Sequence, residues 1–354
     1  MYPQWKSSMT DSMLAADPSN ELTAPASARV LVLGDVILDS YLRGQVTRVS
    51  AEAPVPIVEV DSEEYRLGGA ANVAANITSL GAQCDLIGVV GDDEPAREFR
   101  KQLALAGISD VDLVTDPSRP TSHKTRVIAR HQQVVRLDRE SRAPIDDATR
   151  QRTLDRIEAR IVSADAVIIE DYDKGLLDES LIVAARDMAA ARGIPVVVDP
   201  KLENFWHYGG VTCVTPNEYE AGAAARRPIT TADDLRAVGV RLLTDLSLDH
   251  LLITRGSGGM ALFEREGDKL TLTHVPAAAR EVYDVTGAGD TSVAVYTLGL
   301  AVGMSPLNAT RLANYAGGLV VGRLGCVSVD RDELEAAIAA HAEADLAHVR
   351  VETL

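Results

Sequence analysis

From Val30 onward, short β-branched and aliphatic runs alternate with longer stretches of helical periodicity, and this alternation restricts the available folds more than any other feature of the chain. The runs 30–33, 86–90, 167–169, 196–198, 211–214 and 251–254 are rich in Val, Ile and Leu rather than apolar at every second position. That is the pattern of strands buried on both faces. Helical spacing appears over 70–80, 94–106, 148–161, 181–191 and 232–246, with Gly81, Gly107 and Gly193 as C-terminal stops. Strands separated by helices pair in parallel, because a parallel neighbour is reached by a crossover and not by a hairpin. The expectation is a doubly wound α/β body, its sheet mostly parallel, with helices on both faces.

Two stretches depart from this rhythm. Residues 53–60 (A-P-V-P-I-V-E-V) and 121–138 read as strands with alternating polar positions, which suits a second, smaller sheet over one end of the body. Residues 287–340 are almost wholly helical in pattern, with Ala313, Ala316, Gly317 and Gly318 small enough for close packing. Residues 1–28 carry no apolar stretch and are expected to form a tail, residues 29–345 the folded domain, and residues 346–354 a second tail. No segment reaches the ~18 apolar residues a membrane span requires.

Composition narrows the partners. With 35 Lys and Arg against 52 Asp and Glu the net charge is −17, which disfavours nucleic acid and anionic membrane and means that an anionic ligand needs a local basic pocket. Cys84, Cys213 and Cys326 are far apart and form no C-x-x-C pair, as expected of reduced thiols in a cytoplasmic protein. The seven histidines lack H-E-x-x-H spacing, and neither G-x-S-x-G nor G-x-x-x-x-G-K-[ST] occurs, so zinc hydrolase, α/β-hydrolase and P-loop chemistry lack their parts.

The strongest local signal is D-V-T-G-A-G-D-T at 284–291. Gly287 and Gly289 let the backbone turn sharply just before an apolar helix, whose unpaired amides attract phosphate. Asp290 in the first turn could accept a proton from a substrate hydroxyl or could simply cap the helix. Gly287-Ala288-Gly289 also begins like a dinucleotide fingerprint, but Ser292 stands where the third glycine belongs. A second glycine cluster, Gly68-Gly69 followed by Asn72, opens another helix, as a ligand contact or as a tight turn.

Polar residues ending buried strands add Asp35 and Asp39, Asp171 with Lys174, and Asp199 with Lys201; in an open α/β sheet these ends face the ligand crevice. Asn217 and Glu220 in T-P-N-E-Y-E stand one helical turn apart, either to orient phosphate and a hydrated Mg2+ or to cap a helix. Thr254-Arg255-Gly256-Ser-Gly-Gly259 could hold a nucleotide phosphate or form a hairpin loop.

Taken in order, the Gly68-Gly69-Asn72 cluster, T-P-N-x-x-E, T-R-G-x-x-G and D-V-T-G-A-G-D-T resemble the PfkB, or ribokinase, family of sugar kinases across essentially residues 29–341. Within it, G-D-V-I-L-D-S-Y, R-V-S-A-E-A-P-V-P-I-V, L-G-G-A-A-N-V-A-A-N-I, Q-Q-V-V-R-L-D and D-Y-D-K-G are most similar to the heptose 7-phosphate kinases. The resemblance implies a ribokinase-like fold whose β-lid, about 42–66 and 121–138, covers the sugar and pairs two copies into a homodimer. It implies ATP with Mg2+ as cofactors and leaves room for a monovalent cation such as K+ near Asp284. The implied reaction phosphorylates the anomeric O1 of D-glycero-β-D-manno-heptose 7-phosphate, giving the 1,7-bisphosphate for ADP-heptose and lipopolysaccharide synthesis.

By the same resemblance Asp290 is the base, with Gly287, Ala288 and Gly289 steadying the moving phosphoryl group. Asp39, Gly68, Gly69 and Asn72 hold the sugar, and Asn217, Glu220, Thr254, Gly256 and Asn314 the nucleotide, with Arg255 and Gly259 in the same turn. Tyr315, beside Asn314, departs from the small residue many relatives carry. A sugar phosphate also demands basic groups, for which Lys124, Arg126, Arg136, Lys174 and Lys201 are the candidates, with Asp171 beside them. No H-x-G-H motif follows, so adenylylation is expected from another protein.

Overall fold

The computed structural model describes residues 28–130, 132–267, 269–278, 283–323, 325–346 and 349–354; apart from Ala28, the expected N-terminal tail lies outside the described residues. In chain order the elements are β1 (Arg29–Gly34), β2 (Val36–Val49), β3 (Pro56–Gly69), α1 (Ala70–Ser79), β4 (Gln83–Ile87), β5 (Val89–Val90) and α2 (Glu94–Leu105). Then come β6 (Val114–Thr115), β7 (His123–Ala129), β8 (Gln132–Arg139), α3 (Asp147–Ile161), β9 (Ala166–Glu170), α4 (Glu179–Arg192) and β10 (Val196–Asp199). The remainder is β11 (Cys213–Val214), α5 (Glu218–Ala224), α6 (Ala232–Asp245), β12 (His250–Thr254), β13 (Met260–Glu266), β14 (Lys269–Val275), α7 (Ala288–Ala301), α8 (Pro306–Val320), α9 (Arg331–Leu346) and β15 (Arg350–Thr353).

Nine strands form the main sheet in the order β15-β14-β13-β12-β11-β10-β9-β1-β4. Pairing is parallel from β4 to β12 and antiparallel from β12 to β15. Alternation along β1 shows how the sheet is covered: Val30 and Val32 enter one core with α1, α2, α7, α8 and α9, while Leu31 and Leu33 enter the other with α3, α4, α5 and α6. A strand buried on both faces has no polar side to present, which is why these runs lack alternation.

The second sheet has the order β3-β2-β7-β8. Its strands outrun the expected lid segments. A single residue, Asp35, separates β1 from β2, and β3 continues to Gly69, after which α1 begins at once. Gly69 makes that switch possible, with φ 57 and ψ −137 as the N-cap of α1, a conformation that L side chains rarely adopt. Every residue of β8 is exposed.

Three expectations change in detail. The run 86–90 divides into β4 and β5, which belong to different sheets. The T-R-G-x-x-G turn joins the antiparallel pair β12 and β13, so the hairpin description applies to it. Residues expected as a C-terminal tail include β15, which adds to β14 and carries Glu352 to Arg236 at 2.7 Å. All three cysteines are free, and among the described residues no helix is long and apolar enough to cross a membrane.

Candidate active site

Asp290 lies in the first turn of α7, 2% exposed. The N-cap of that helix is Gly287 at φ 80, and no side chain caps it; the Ala288 amide turns back to the Val285 carbonyl at 3.3 Å, which leaves the amides of Gly289 and Asp290 to an outside acceptor. Asp290 does not itself cap the helix: one carboxylate oxygen accepts from Asn72 Nδ2 and the other from the Tyr172 hydroxyl, both at 2.7 Å. Burial raises its pKa above the ordinary aspartate value, and the hydrogen bonds from Asn72 and Tyr172 pull it back. The result is a desolvated carboxylate, held at both oxygens, beside a helix terminus.

The first and second glycine clusters therefore meet. Asn72 reaches the site because α1 begins immediately at the end of β3, and the sheet brings β3 over the carboxyl ends of β1 and β9. Gly68 lies directly against the carboxylate of Asp39, whose other oxygen pairs with Arg126. Asp35 serves the loop instead: it accepts the amides of Tyr172 and Lys174 at 2.9 and 3.0 Å, which fixes Tyr172 over Asp290.

A group that sequence reading passed over completes the centre. Glu170 ends β9 and is register partner to Asp199 at the end of β10. One oxygen from each of Glu170, Asp199 and Asp290 falls within 4.8 Å of the others. Glu170 is fully buried, and neither of its carboxylate oxygens meets an N–H or hydroxyl donor. Burial pushes the pKa of both Glu170 and Asp199 upward, and the two carboxyls can share a proton. Buried carboxylate oxygens gathered on one another in this way fit a hard divalent cation, which takes oxygen ligands. The clue in the sequence was a carboxylate closing an otherwise apolar strand; the rule that singled out Asp171 applied equally one residue earlier.

Other candidates are used differently. Glu220 and Asn217 form a capping box on α5, and the second oxygen of Glu220 binds Lys201 at 2.8 Å. Burial opposes the charge on Lys201, yet Asp199 and Glu220 hold its pKa above the ordinary lysine value, and its ammonium stands 5.2 Å from the Tyr172 ring. Asp171 is turned into the fold, where Asn204, Tyr208 and the amide of Asp173 donate to it. Lys174 and Lys124 both reach Glu140, at 2.9 and 3.3 Å, and Arg136 pairs with Asp138 on exposed β8.

Among the nucleotide candidates, Asn217 bridges to Thr254 between neighbouring strand ends. Arg255 pairs with Glu218 at 2.8 Å, and Gly256 and Gly259 both have positive φ. Asn314 donates to the Pro276 carbonyl at 2.7 Å, beside a buried Tyr315. Asp284 accepts both the amide and the hydroxyl of Thr286 and the amide of Gly325, so it ties the glycine loop before α7 to the 325 segment.

Comparison with known proteins gives the family and the fold. A family profile described as pfkB family carbohydrate kinase matches residues 27–333. The chain is 46% identical over 315 residues to D-beta-D-heptose 7-phosphate kinase of Bordetella bronchiseptica, covering 87% of this chain and 96% of that one. It is 44% identical over 324 residues to the bifunctional protein HldE of Geotalea uraniireducens, covering 91% of this chain and 66% of that one. It thus spans slightly less than two thirds of the length of such bifunctional relatives. Among solved structures, phosphofructokinase-2 from Escherichia coli in complex with potassium superposes with a TM-score of 0.72 at 20% identity, over 89% of this chain and 99% of that one. Arabidopsis thaliana ribokinase complexed with ribose and ATP gives 0.67 at 20% identity, over 88% and 99%; these two likenesses show a ribokinase-like fold.

Proposed function

Since the chain belongs to the pfkB family of carbohydrate kinases, we propose that it transfers the γ-phosphoryl group of ATP to the O1 hydroxyl of D-glycero-β-D-manno-heptose 7-phosphate. The product is heptose 1,7-bisphosphate, an ADP-heptose precursor in lipopolysaccharide synthesis, made in the cytoplasm by a homodimer joined through the lid. The observation that carries the reading is Asp290, buried beside the amides of α7 and held by Asn72 and Tyr172. The sugar itself is supported by the 46% identity to a heptose 7-phosphate kinase over nearly all of that protein's length.

In this reading Asp290 takes the O1 proton as the oxygen attacks phosphorus. The Gly287, Ala288 and Gly289 backbone meets the charge on the moving phosphoryl group. Glu170 and Asp199 are suited to hold Mg2+, which would supply charge neutralisation of the phosphate oxygens. Asp39, Gly68, Gly69 and Asn72 orient the sugar, while Asn217, Thr254, Gly256 and Asn314 serve the nucleotide.

The deciding experiment measures ADP release with heptose 7-phosphate and with heptose, for the wild type and Asp290→Asn. The wild type should prefer the phosphorylated sugar, and the variant should keep its affinity for ADP while kcat falls ~10²- to 10⁴-fold. Equal kcat/KM for the two sugars would move the activity to unphosphorylated substrates. Near-normal turnover in the variant would remove Asp290 as the base.

A further inference from the structure

The β7–β8 hairpin of the lid returns to the body at Glu140, the residue after β8. From there residues 140–145 lie against the 171–175 turn. The Ile145 amide donates to the Gly175 carbonyl at 3.0 Å, and a Cβ on Gly175, whose φ is 79, would collide with the Ala143 carbonyl. Arg119, shortly before β7, donates to the carbonyls of both Lys174 and Ser141. Both ends of the hairpin are thus fastened to the turn that carries Tyr172 to Asp290.

Glu140 closes this junction with charge. Its Oε1 accepts from the Lys174 ammonium at 2.9 Å, and its Oε2 stands 3.3 Å from the Lys124 ammonium. The second contact is off the line of a hydrogen bond, so Oε2 holds Lys124 by charge alone. All three side chains are largely buried: Lys174 is 8% exposed, Glu140 14% and Lys124 15%. Burial opposes the charge on Glu140, but Lys174 and Lys124 outweigh it and hold the carboxyl below the ordinary glutamate pKa. Lys124 comes from the lid, as register partner of Asp39, and Lys174 from the turn. Asp138 also lies 3.6 Å from Lys124, and the exposed Arg142 stands 3.9 Å from Glu140 and 3.4 Å from Asp173. Among the described residues, Lys174 pairs with no carboxylate but Glu140.

A buried ammonium that loses its counter-charge must turn towards water or distort its surroundings. Here it would pull on the Lys174 backbone, whose amide shares the Asp35 carboxylate with the amide of Tyr172. We infer that Glu140 is a positioning residue: by holding Lys174 of the turn and Lys124 of the lid together, it sets the Tyr172 hydroxyl on Asp290. This rests on the reading of Asp290 as the base and extends the site beyond the groups that touch it. The route runs from Glu140 through Lys174 and Asp35 to Tyr172, and it reaches the reacting centre through one hydrogen bond of 2.7 Å.

The test joins hydrogen exchange to kinetics on Glu140→Gln, Lys174→Gln, Tyr172→Phe and the double variant Glu140→Gln/Tyr172→Phe. In the ligand-free protein, the Tyr172 and Lys174 amides should exchange ~10-fold faster or more in either clamp variant, while those of β10 keep their protection. Kinetics use whichever sugar or sugar phosphate the wild type turns over. Glu140→Gln should lower kcat ~10-fold with KM for ATP changed less than ~2-fold, and in the Tyr172→Phe background it should lower kcat less than ~2-fold further, because both act through one hydroxyl. Lys174→Gln, which leaves Glu140 with Lys124, keeps the test open if Glu140→Gln fails to fold. Unchanged exchange in the folded variants, or losses in kcat that multiply in full in the double variant, would overturn the positioning role. A wild type inactive on heptose 7-phosphate that shows the non-additive pattern with another sugar would uphold the role and overturn the heptose assignment alone.

Discussion

Glu170 and Tyr172, two residues apart where β9 runs into the 171–175 turn, act through individual atoms. The Tyr172 hydroxyl favours the ionised form of Asp290, so its removal should raise the pKa of a base that burial has already raised. A base works when deprotonated, and a higher pKa moves the acid limb of the kcat/KM profile to higher pH. Tyr172→Phe should shift that limb upward and lower kcat ~10-fold; an unmoved limb would leave Tyr172 without a part in tuning the base. Glu170→Gln should leave the melting temperature of the ligand-free protein nearly unchanged, because burial already favours the neutral acid. It should cancel the additional stabilisation that Mg2+ gives in the presence of ADP, read by thermal denaturation over a MgCl2 titration. A full Mg2+ effect in the variant would exclude Glu170 as a ligand.

The lid is an element with two different faces and two edge strands, β3 and β8. One face carries Asp39 and Tyr41 with Arg66 and Arg126 of the neighbouring strands; β8 at its edge exposes Val134, Val135 and Leu137, the last 57% exposed. An unpaired apolar edge strand is a liability unless another surface covers it, and a second copy of the lid would do so. Leu137→Glu should therefore weaken self-association by ~10²-fold or more, since a twofold contact loses the side chain twice and a buried Leu is worth ~1.5–3 kcal/mol. Sedimentation over a concentration series measures this, and a wild-type chain that stays monomeric would refute it. Glu170 and Asp199 show the complementary case of elements that end at the site: strands that are apolar along their length carry their polar group at the last residue.

At the scale of the whole molecule, the candidate site draws on both sheets. Asp39 belongs to the lid sheet, Glu170 and Asp199 to the main sheet, and Asp290 to a helix packed against it. A sugar held between Asp39 and Asp290 should couple the lid to the body. Nucleotide with sugar phosphate, each at ~100 times its dissociation constant, should slow amide exchange in β2 and β7 by up to ~100-fold, and nucleotide alone should leave these strands nearly as they were. Hydrogen–deuterium exchange compares the two states; equal protection by nucleotide alone would place the coupling elsewhere.

The fold class, the second sheet and the glycine turn that opens α7 were legible in the sequence because each rests on local order. Doubly buried strands lose their alternation, lid strands keep it, and D-V-T-G-A-G-D carries its own turn and helix start. The partners of each charge were decided only in three dimensions. Asp290 could have been a cap until α1 and the 171–175 turn brought Asn72 and Tyr172 to its two oxygens. Glu220 had suitable spacing for a cation, but its own helix terminus and Lys201 occupy it, while Glu170 acquired its place from register with β10. Arg66 looked like one more charge on a polar strand until pairing with β2 set it beside Tyr41. Spacing along a chain settles which residues share a face of one element, but electrostatic partnership falls off with distance through space. Only the packing of remote elements determines that distance.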